Sequence, residues 1–480
     1  MAALVCLTLL TYYHRYPTGD DAWFAEQSYW LMKQGVVRSE FFRGILGWEH
    51  QLLVSHKLFL VFGAGLMAVF GFQLPVVQFV GLIFFVVIVA GLVVYVRRRE
   101  QPVLSFRPKE ESSFSEIIFP GMMNYLLALL ILVFSNRLLI KLSFENRPEL
   151  MVAGLGFWSF LLLQSARPTL MKAMLAGALA GSAMLCHLNG VIYLIAGFGT
   201  LIYLRKYRLA MAFAVVGGMI GLLYFADVVQ ANNGFATWLY QFRNDPATQD
   251  AFGWQAKLLV MLTFPKLFFE SPEQAALSML LLFMVWHQRR FLRDLPVVLR
   301  VYATVLVGAF WLITKQGSGS YLPLFMPVML CLIYELYQLR PFMNLGLKLV
   351  VGLYFVIGLV GTGQLIQENL STDYLPVSYQ RLRSFIPKNQ TGLVPLTFFF
   401  NEQEQYPHLL AHENANHLAP PTDNPSAQMA AWALRRGVGF IVMDYQYRPE
   451  AFYPKPCTPT LPFYRLTHFD GRFAVYIRHD

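Results

Sequence analysis

The sequence predicts an α-helical polytopic membrane protein with about eleven transmembrane helices and a small α/β domain outside the membrane at its C-terminal end. Three observations carry that expectation. Of 480 residues, 56% are hydrophobic and 14% charged, where a soluble domain carries about 25% charge. The apolar residues lie in long runs instead of the short periodic patterns that build water-soluble cores. Beyond residue 366 the composition turns polar, and Pro, Asn, Gln and charged residues rise. An ordinary cytosolic enzyme is excluded. The 38 Lys+Arg exceed the 28 Asp+Glu, for a net charge of +10. In a membrane protein this surplus marks cytoplasmic loops, so nucleic acid is not an expected partner.

The first apolar run, Met1 to Tyr13, lacks the basic start and small-residue cleavage site of a signal peptide. At about 1.5 Å per residue it is also too short for a hydrocarbon core of about 30 Å, so a first span beginning upstream of this Met1 is expected. Runs long enough to cross lie near 76–96, 117–136, 150–165, 209–228, 273–287, 300–314, 321–338 and 344–364. A further stretch, 174–204, is broken at His187-Leu188-Asn189 and reads as two short spans joined by a tight turn.

The apolar segment 56–72 reads as a helix lying in the membrane interface. That choice puts every strongly basic short loop on one side: Arg97–Lys109, Arg167–Lys172, Arg205–Arg208, Arg289–Arg300 and Arg340. This side is taken as cytoplasmic. The other side receives the loops 14–56, 137–149, 187–189, 229–272 and 315–320, and the tail. Two boundaries follow: a multi-span domain over 1–366 with a catalytic outer loop at 14–56, and an extracytoplasmic α/β domain over 367–480. In the tail, strand-like pieces at Gly392–Phe400, Val438–Tyr445 and Phe473–Ile477 accompany a helical pattern at Ala427–Arg436. Cys6, Cys186 and Cys331 sit in apolar stretches and Cys457 is alone in the tail, so neither a metal finger nor a disulfide is predicted.

The most specific local feature is Thr18-Gly19-Asp20-Asp21-Ala22-Trp23-Phe24-Ala25. Thr18 followed three residues later by Asp21 is a capping-box variant, which predicts a helix to about Gln34, ending before Gly35. Asp20 and Asp21 fall in its first turn, where the helix dipole favours ionised carboxylates. They read either as caps or as a general base or cation site.

This string, with Gly35 beyond it, resembles the Asp-Glu-Ala-x-Tyr-Ala helix after the first span of the GT-C glycosyltransferases that use polyprenyl-phosphate sugars. Those enzymes include the protein O-mannosyltransferases and the lipid A aminoarabinose transferases. Phe70-Gly71 and the span ending in Arg97-Arg98 resemble the family's interfacial helix and second span. Arg147-Pro148-Glu149-Leu150 is similar to its second outer-loop motif, Gly177–Leu185 before His187 to its Gly-rich helix, and Tyr321-Leu322-Pro323 with Pro327 to its Tyr-x-Leu-Pro segment. The order of these motifs over residues 18–330 is the collective signal. There are departures. Asp21 replaces the usual Glu, and His187 stands where relatives carry Lys, which makes phosphate binding there conditional on protonation. His56-Lys57-Leu58 keeps the Lys but not the Pro of a Lys-Pro pair.

The resemblance implies a lipid-linked sugar donor, a lipid, glycan or protein acceptor, contact with membrane lipids, and residence in a bacterial inner membrane with the site on the extracytoplasmic face. Asp20 and Asp21 would be the catalytic carboxylates, with Asp20 the base and the sugar inverting at C1. Lys57, His187, Lys315 and Tyr321, all at outer ends of spans, would face the donor phosphate. Each also has a plain reading: snorkelling for the two lysines, a turn cap for His187, the interfacial aromatic belt for Tyr321. Glu149 reads as a first-turn acid or as a group that binds acceptor, sugar or metal. Arg43, Glu49 and His50 are candidates for contact with the sugar or a metal. No HxxxH or HExxH pair falls on an outer helix, so no obligatory metal is inferred and a divalent ion stays open. A secondary transporter and a non-catalytic envelope-assembly scaffold are the alternatives. The first is disfavoured by the absence of internal repeats and mid-span charges.

Overall fold

The apolar runs form helices, in which each backbone group is paired within its own segment. The computed structural model describes residues 1–100, 115–165, 168–246, 249, 252–315, 318–339, 344–406, 408–418, 424–446 and 452–479. Parts of three expected basic loops, 101–109, Arg167 and Arg340, lie outside the described residues.

The helices run in this order: α1 Ala2–Leu10, α2 Gly19–Gln34, α3 Lys57–Phe70, α4 Leu74–Glu100, α5 Ser115–Phe134, α6 Arg137–Leu142, α7 Glu149–Leu163, α8 Leu170–Cys186, α9 Val191–Tyr203 and α10 Tyr207–Leu222. Then come α11 Ala226–Gln230, α12 Gly234–Asn244, α13 Trp254–Thr263, α14 Lys266–Phe269, α15 Pro272–His287, α16 Val297–Ile313, α17 Met326–Leu339 and α18 Leu345–Ser371. Among the described residues, three helical stretches are long and apolar enough to cross a membrane: Leu74–Arg99, Tyr207–Gln230 and Leu345–Leu382. Seven further apolar helices have 10–17 residues. Several of these give way at one end to polar turns carrying His187, Lys315 and Tyr321. α8 lies tightly along α10, where a Cβ on Gly177 or Gly181 would strike the backbone carbonyls of Phe213 and Gly217. Small residues there let the backbones approach.

Three expected boundaries move. The run expected at 321–338 opens as a 3-10 turn, Gly319–Leu324, and is α-helical only from Met326. Pro323 lacks the N–H that an α-helical turn needs, whereas Pro327 is tolerated in the first turn of α17. The strand expected at 392–400 stops at Val394, because Pro395 leads into a 3-10 turn over Leu396–Phe399. α18 runs through the expected boundary at 366/367 to Ser371, its last turns polar but still helical.

The tail adds α19 Leu375–Leu382, α20 His412–Leu418 and α21 Pro425–Arg435, with strands β1 Thr391–Val394, β2 Leu409–Ala411, β3 Val438–Asp444, β4 Thr460–Leu461, β5 Tyr464–Phe469 and β6 Phe473–Arg478. The sheet order is β2-β1-β3-β6-β5-β4. β1 pairs in parallel with β2 and β3, and the remaining pairs are antiparallel. Every residue of β3 is buried. Ile441 and Met443 pack with Met429 and Trp432 of α21, while Phe440 and Val442 join the core that continues into the membrane helices. That alternation is the strand period of two with both faces covered.

The domain is also tied down by polar contacts. Arg472 forks onto Asp444 at 2.7 and 3.0 Å and reaches the Tyr16 hydroxyl. Ala411 N–H donates to the Phe41 carbonyl at 3.1 Å. Phe41 is itself pinned by Glu26, whose carboxylate also accepts from Trp30 Nε1, Ser39 Oγ and Glu40 N.

Candidate active site

Thr18 adopts an extended conformation ahead of α2, and the capping box is complete. Asp21 N donates to Thr18 Oγ1 at 3.4 Å, and Thr18 N donates to Asp21 Oδ2 at 2.6 Å. Gly35 ends the helix at φ +71°, the left-handed conformation that glycine adopts without strain. The second Asp21 oxygen accepts from Asn146 N at 2.5 Å, while Asn146 Nδ2 donates to the Asp21 carbonyl. Asp21 is fully buried. Burial, with the Glu145 carboxylate behind it, pushes its carboxyl up, and the Thr18 and Asn146 N–H groups pull the other way. Both oxygens are therefore occupied by backbone donors.

Asp20, one residue earlier, points elsewhere and keeps 45% of its side chain exposed. It accepts from Arg147 Nη1 at 2.7 Å. The other edge of the guanidinium meets Glu149, with Nη2 at 2.7 Å and Nε at 3.2 Å. Glu149 is the first residue of α7, behind Pro148 at φ −73°. This is the N-terminal geometry that Pro pre-sets and an acid favours. Burial works against the Arg147 charge, but the Glu149 and Asp20 carboxylates outweigh it and hold the guanidinium well above its ordinary value.

His187 closes α8 in an extended conformation, and its Nδ1 accepts from Asn189 N at 3.0 Å. The neutral ring thus carries its proton on Nε2. Burial chiefly, and Arg147, take its pKa down to about 4 against the pull of Glu149. The expected dependence on a protonated His187 gives way to a neutral imidazole at neutral pH. Its ring stacks on His56 at 4.5 Å between centroids and meets Tyr321 edge-on at 5.9 Å. Phe24 of α2 packs edge-on against His56 at 5.0 Å. Burial first, and the Glu149 carboxylate next, raise the Tyr321 hydroxyl to about 12.

Asp20, Glu149, His187 and Tyr321 are thus gathered around Arg147, while the other sequence candidates go elsewhere. Lys57 is ion-paired with Asp227. Lys315 sits over the rings of Phe242 at 3.2 Å and Phe252 at 4.1 Å, and burial lowers its pKa to about 8 with Asp245 opposing. Arg43 reaches Glu40 and His408 Nδ1. Glu49 lies 4.0 Å from His50, and His50 is 86% exposed. Sequence reasoning missed the roles of Arg147, His56, Asn146 and Asp227. Arg147 stood inside a recognised motif, and its place two residues before Glu149 was the available signal. Among the described residues, no three His, Cys, Asp or Glu side chains gather in a way that could hold one metal ion.

No family model matches the sequence, and no curated protein matches it by sequence. The fold nonetheless has solved counterparts. ArnT from Cupriavidus metallidurans bound to undecaprenyl phosphate superposes with a TM-score of 0.61 at 14% identity, covering 99% of this chain and 96% of that one. The same enzyme in its apo state gives 0.59 at 13% identity, with 99% and 96% covered. The apo oligosaccharyltransferase of Archaeoglobus fulgidus gives 0.52 at 12% identity, covering 92% of this chain and 69% of that one. At these identities the likeness is one of fold.

Proposed function

We propose that this chain is an integral-membrane glycosyltransferase. It moves a sugar from a polyprenyl-phosphate donor to an acceptor hydroxyl, with inversion, at the extracytoplasmic face of the membrane. The observation that carries this reading is the division of labour between adjacent carboxylates: Asp21 is buried under two backbone donors, and Asp20 is half-exposed beside Arg147. That ArnT carries undecaprenyl phosphate on the same fold supports the donor class. The five basic loops on one side of the expected topology support the orientation.

In this scheme Asp20 takes the proton of the acceptor hydroxyl as its oxygen attacks C1 from the face opposite the phosphate. The C1–O bond breaks, and its electron pair stays on the departing polyprenyl phosphate. Arg147, the His187 Nε2–H and the Tyr321 hydroxyl are the donors we assign to that developing charge, because Arg147 is bonded to Asp20 and the two rings meet edge-on. Arg147 also sets the direction of Asp20 and Glu149 through its planar fork. A phosphate leaving group needs no acid. The test is to incubate membranes containing the protein with radiolabelled polyprenyl-phosphate sugar. Label leaving the lipid for an acceptor supports transfer, and label retained on the lipid under all acceptors overturns it.

A further inference from the structure

A second polar cluster lies one residue along the chain from His56. Lys57 Nζ meets Asp227 Oδ2 of α11, while the other Asp227 oxygen is buried with no hydrogen-bond partner. The Ser55 hydroxyl is likewise buried and unpartnered, on a residue 4% exposed. The Tyr224 phenol lies among Asp227, the Trp238 indole and the Ser55 backbone N–H, and Lys57 Nζ is 5.5 Å from the Tyr224 ring centroid. The cluster is built firmly. Gln241 of α12 accepts from Leu53 N at 2.8 Å and Val54 N at 3.4 Å, and donates to Leu46 O and Gln51 O. This clamp holds the segment that presents Ser55, His56 and Lys57. Asp227 keeps 32% of its side chain exposed, so the cluster is open on one side.

We propose that Ser55, Lys57, Tyr224, Asp227 and Trp238 form the subsite for the sugar ring of the donor, and that this ring is neutral and polyhydroxylated. The inference rests on the transferase reading above. Consecutive residues divide the two tasks. His56 turns to His187 and the Arg147 cluster, and Lys57 turns to Asp227, so a phosphate at the first cluster brings its sugar to the second. An unpartnered carboxylate oxygen and an unpartnered hydroxyl, both buried, are costly, and vicinal sugar hydroxyls supply the missing donors and acceptors. Tyr224 is 1% exposed and backs the cluster, and Trp238, partly exposed and stacked on Phe242 on one side, is the aromatic side chain a sugar ring can reach. Lys57 and Asp227 neutralise each other, so neither the ammonium of an amino sugar nor the carboxylate of a uronic acid finds an uncompensated counter-charge.

Binding of three lipids to the purified full chain tests this: bare polyprenyl phosphate, the same lipid carrying a neutral hexose, and one carrying an aminohexose. The wild type is expected to bind the hexosyl lipid most tightly. Asp227→Asn should weaken hexosyl-lipid binding roughly 10- to 100-fold, as for a lost charged hydrogen bond, and leave bare-lipid affinity unchanged. Ser55→Ala leaves the ion pair intact and should weaken hexosyl-lipid binding several-fold with the same selectivity. Equal losses on bare and hexosyl lipid, no loss in either variant, or tighter binding of the aminohexosyl lipid would overturn the subsite. Failure of the wild type to bind even bare polyprenyl phosphate would instead overturn the transferase reading, and this inference with it.

Discussion

Asp20 and Arg147, 127 residues apart in the chain, meet at 2.7 Å between Oδ2 and Nη1, and the same guanidinium holds Glu149. A carboxylate so held is directed but still half open to solvent. Its neighbour Asp21 is closed in by Thr18 and Asn146. Asp20→Asn should keep size and polarity while removing the carboxylate we propose as the base. Turnover on a polyprenyl-phosphate sugar should fall by roughly 10²–10⁴, the loss typical of a missing general base, with thermal stability little changed. A fully active Asp20→Asn enzyme would reverse the assignment.

Asp21→Asn places an amide where two backbone N–H groups need acceptors. One oxygen must become an NH₂ facing an N–H donor, at a cost of about 1–3 kcal/mol. The expected readout is a lower unfolding temperature in detergent or nanodiscs, with turnover per folded molecule largely retained. Equal stability with lost turnover would move the chemistry to Asp21.

Arg147→Lys keeps the charge and loses the fork. One ammonium cannot hold Asp20 and Glu149 in the planar two-sided arrangement. A drop in kcat of about tenfold or more is expected from misplaced reacting groups, larger than any change in the affinity for donor. Unchanged kcat would show that Arg147 does not position Asp20.

His187 gives a pH signature. Its folded pKa of about 4 lies below the ordinary 6.5. Between these values the unfolded chain binds more protons, so its contribution to stability is full above about pH 6.5 and is lost as pH falls toward 4. Wild type should lose on the order of 1–2 kcal/mol more than His187→Asn between pH 7 and pH 5. Parallel stability curves for the two proteins would exclude the neutral imidazole.

Orientation is tested by single cysteines at His50 and Asn233, expected outside, and at Arg293, expected inside, in a background lacking the exposed Cys6 and Cys457. An impermeant thiol reagent on spheroplasts should label the first two and spare the third. The reverse pattern would invert the topology and place Asp20 on the cytoplasmic side.

Features that depend on neighbours along the chain could be read from the residues alone. The capping box at Thr18, the end of α2 at Gly35 and the break between α8 and α9 at His187 were all legible, because caps and left-handed glycines act within one helical turn. The apolar runs likewise marked the helices, since uninterrupted runs of this length fit a helix that pairs its backbone within itself. Where the long side chains end depends instead on packing between distant helices. Lys57, His187, Lys315 and Tyr321 were equally eligible for one phosphate. The fold turns Lys57 to Asp227, 170 residues away, cages Lys315 under Phe242 and Phe252, and leaves His187 and Tyr321 facing each other. A buried charge goes to whichever opposite charge or aromatic face the packing brings near. That neighbour is set by helices distant in sequence, which local pattern does not encode.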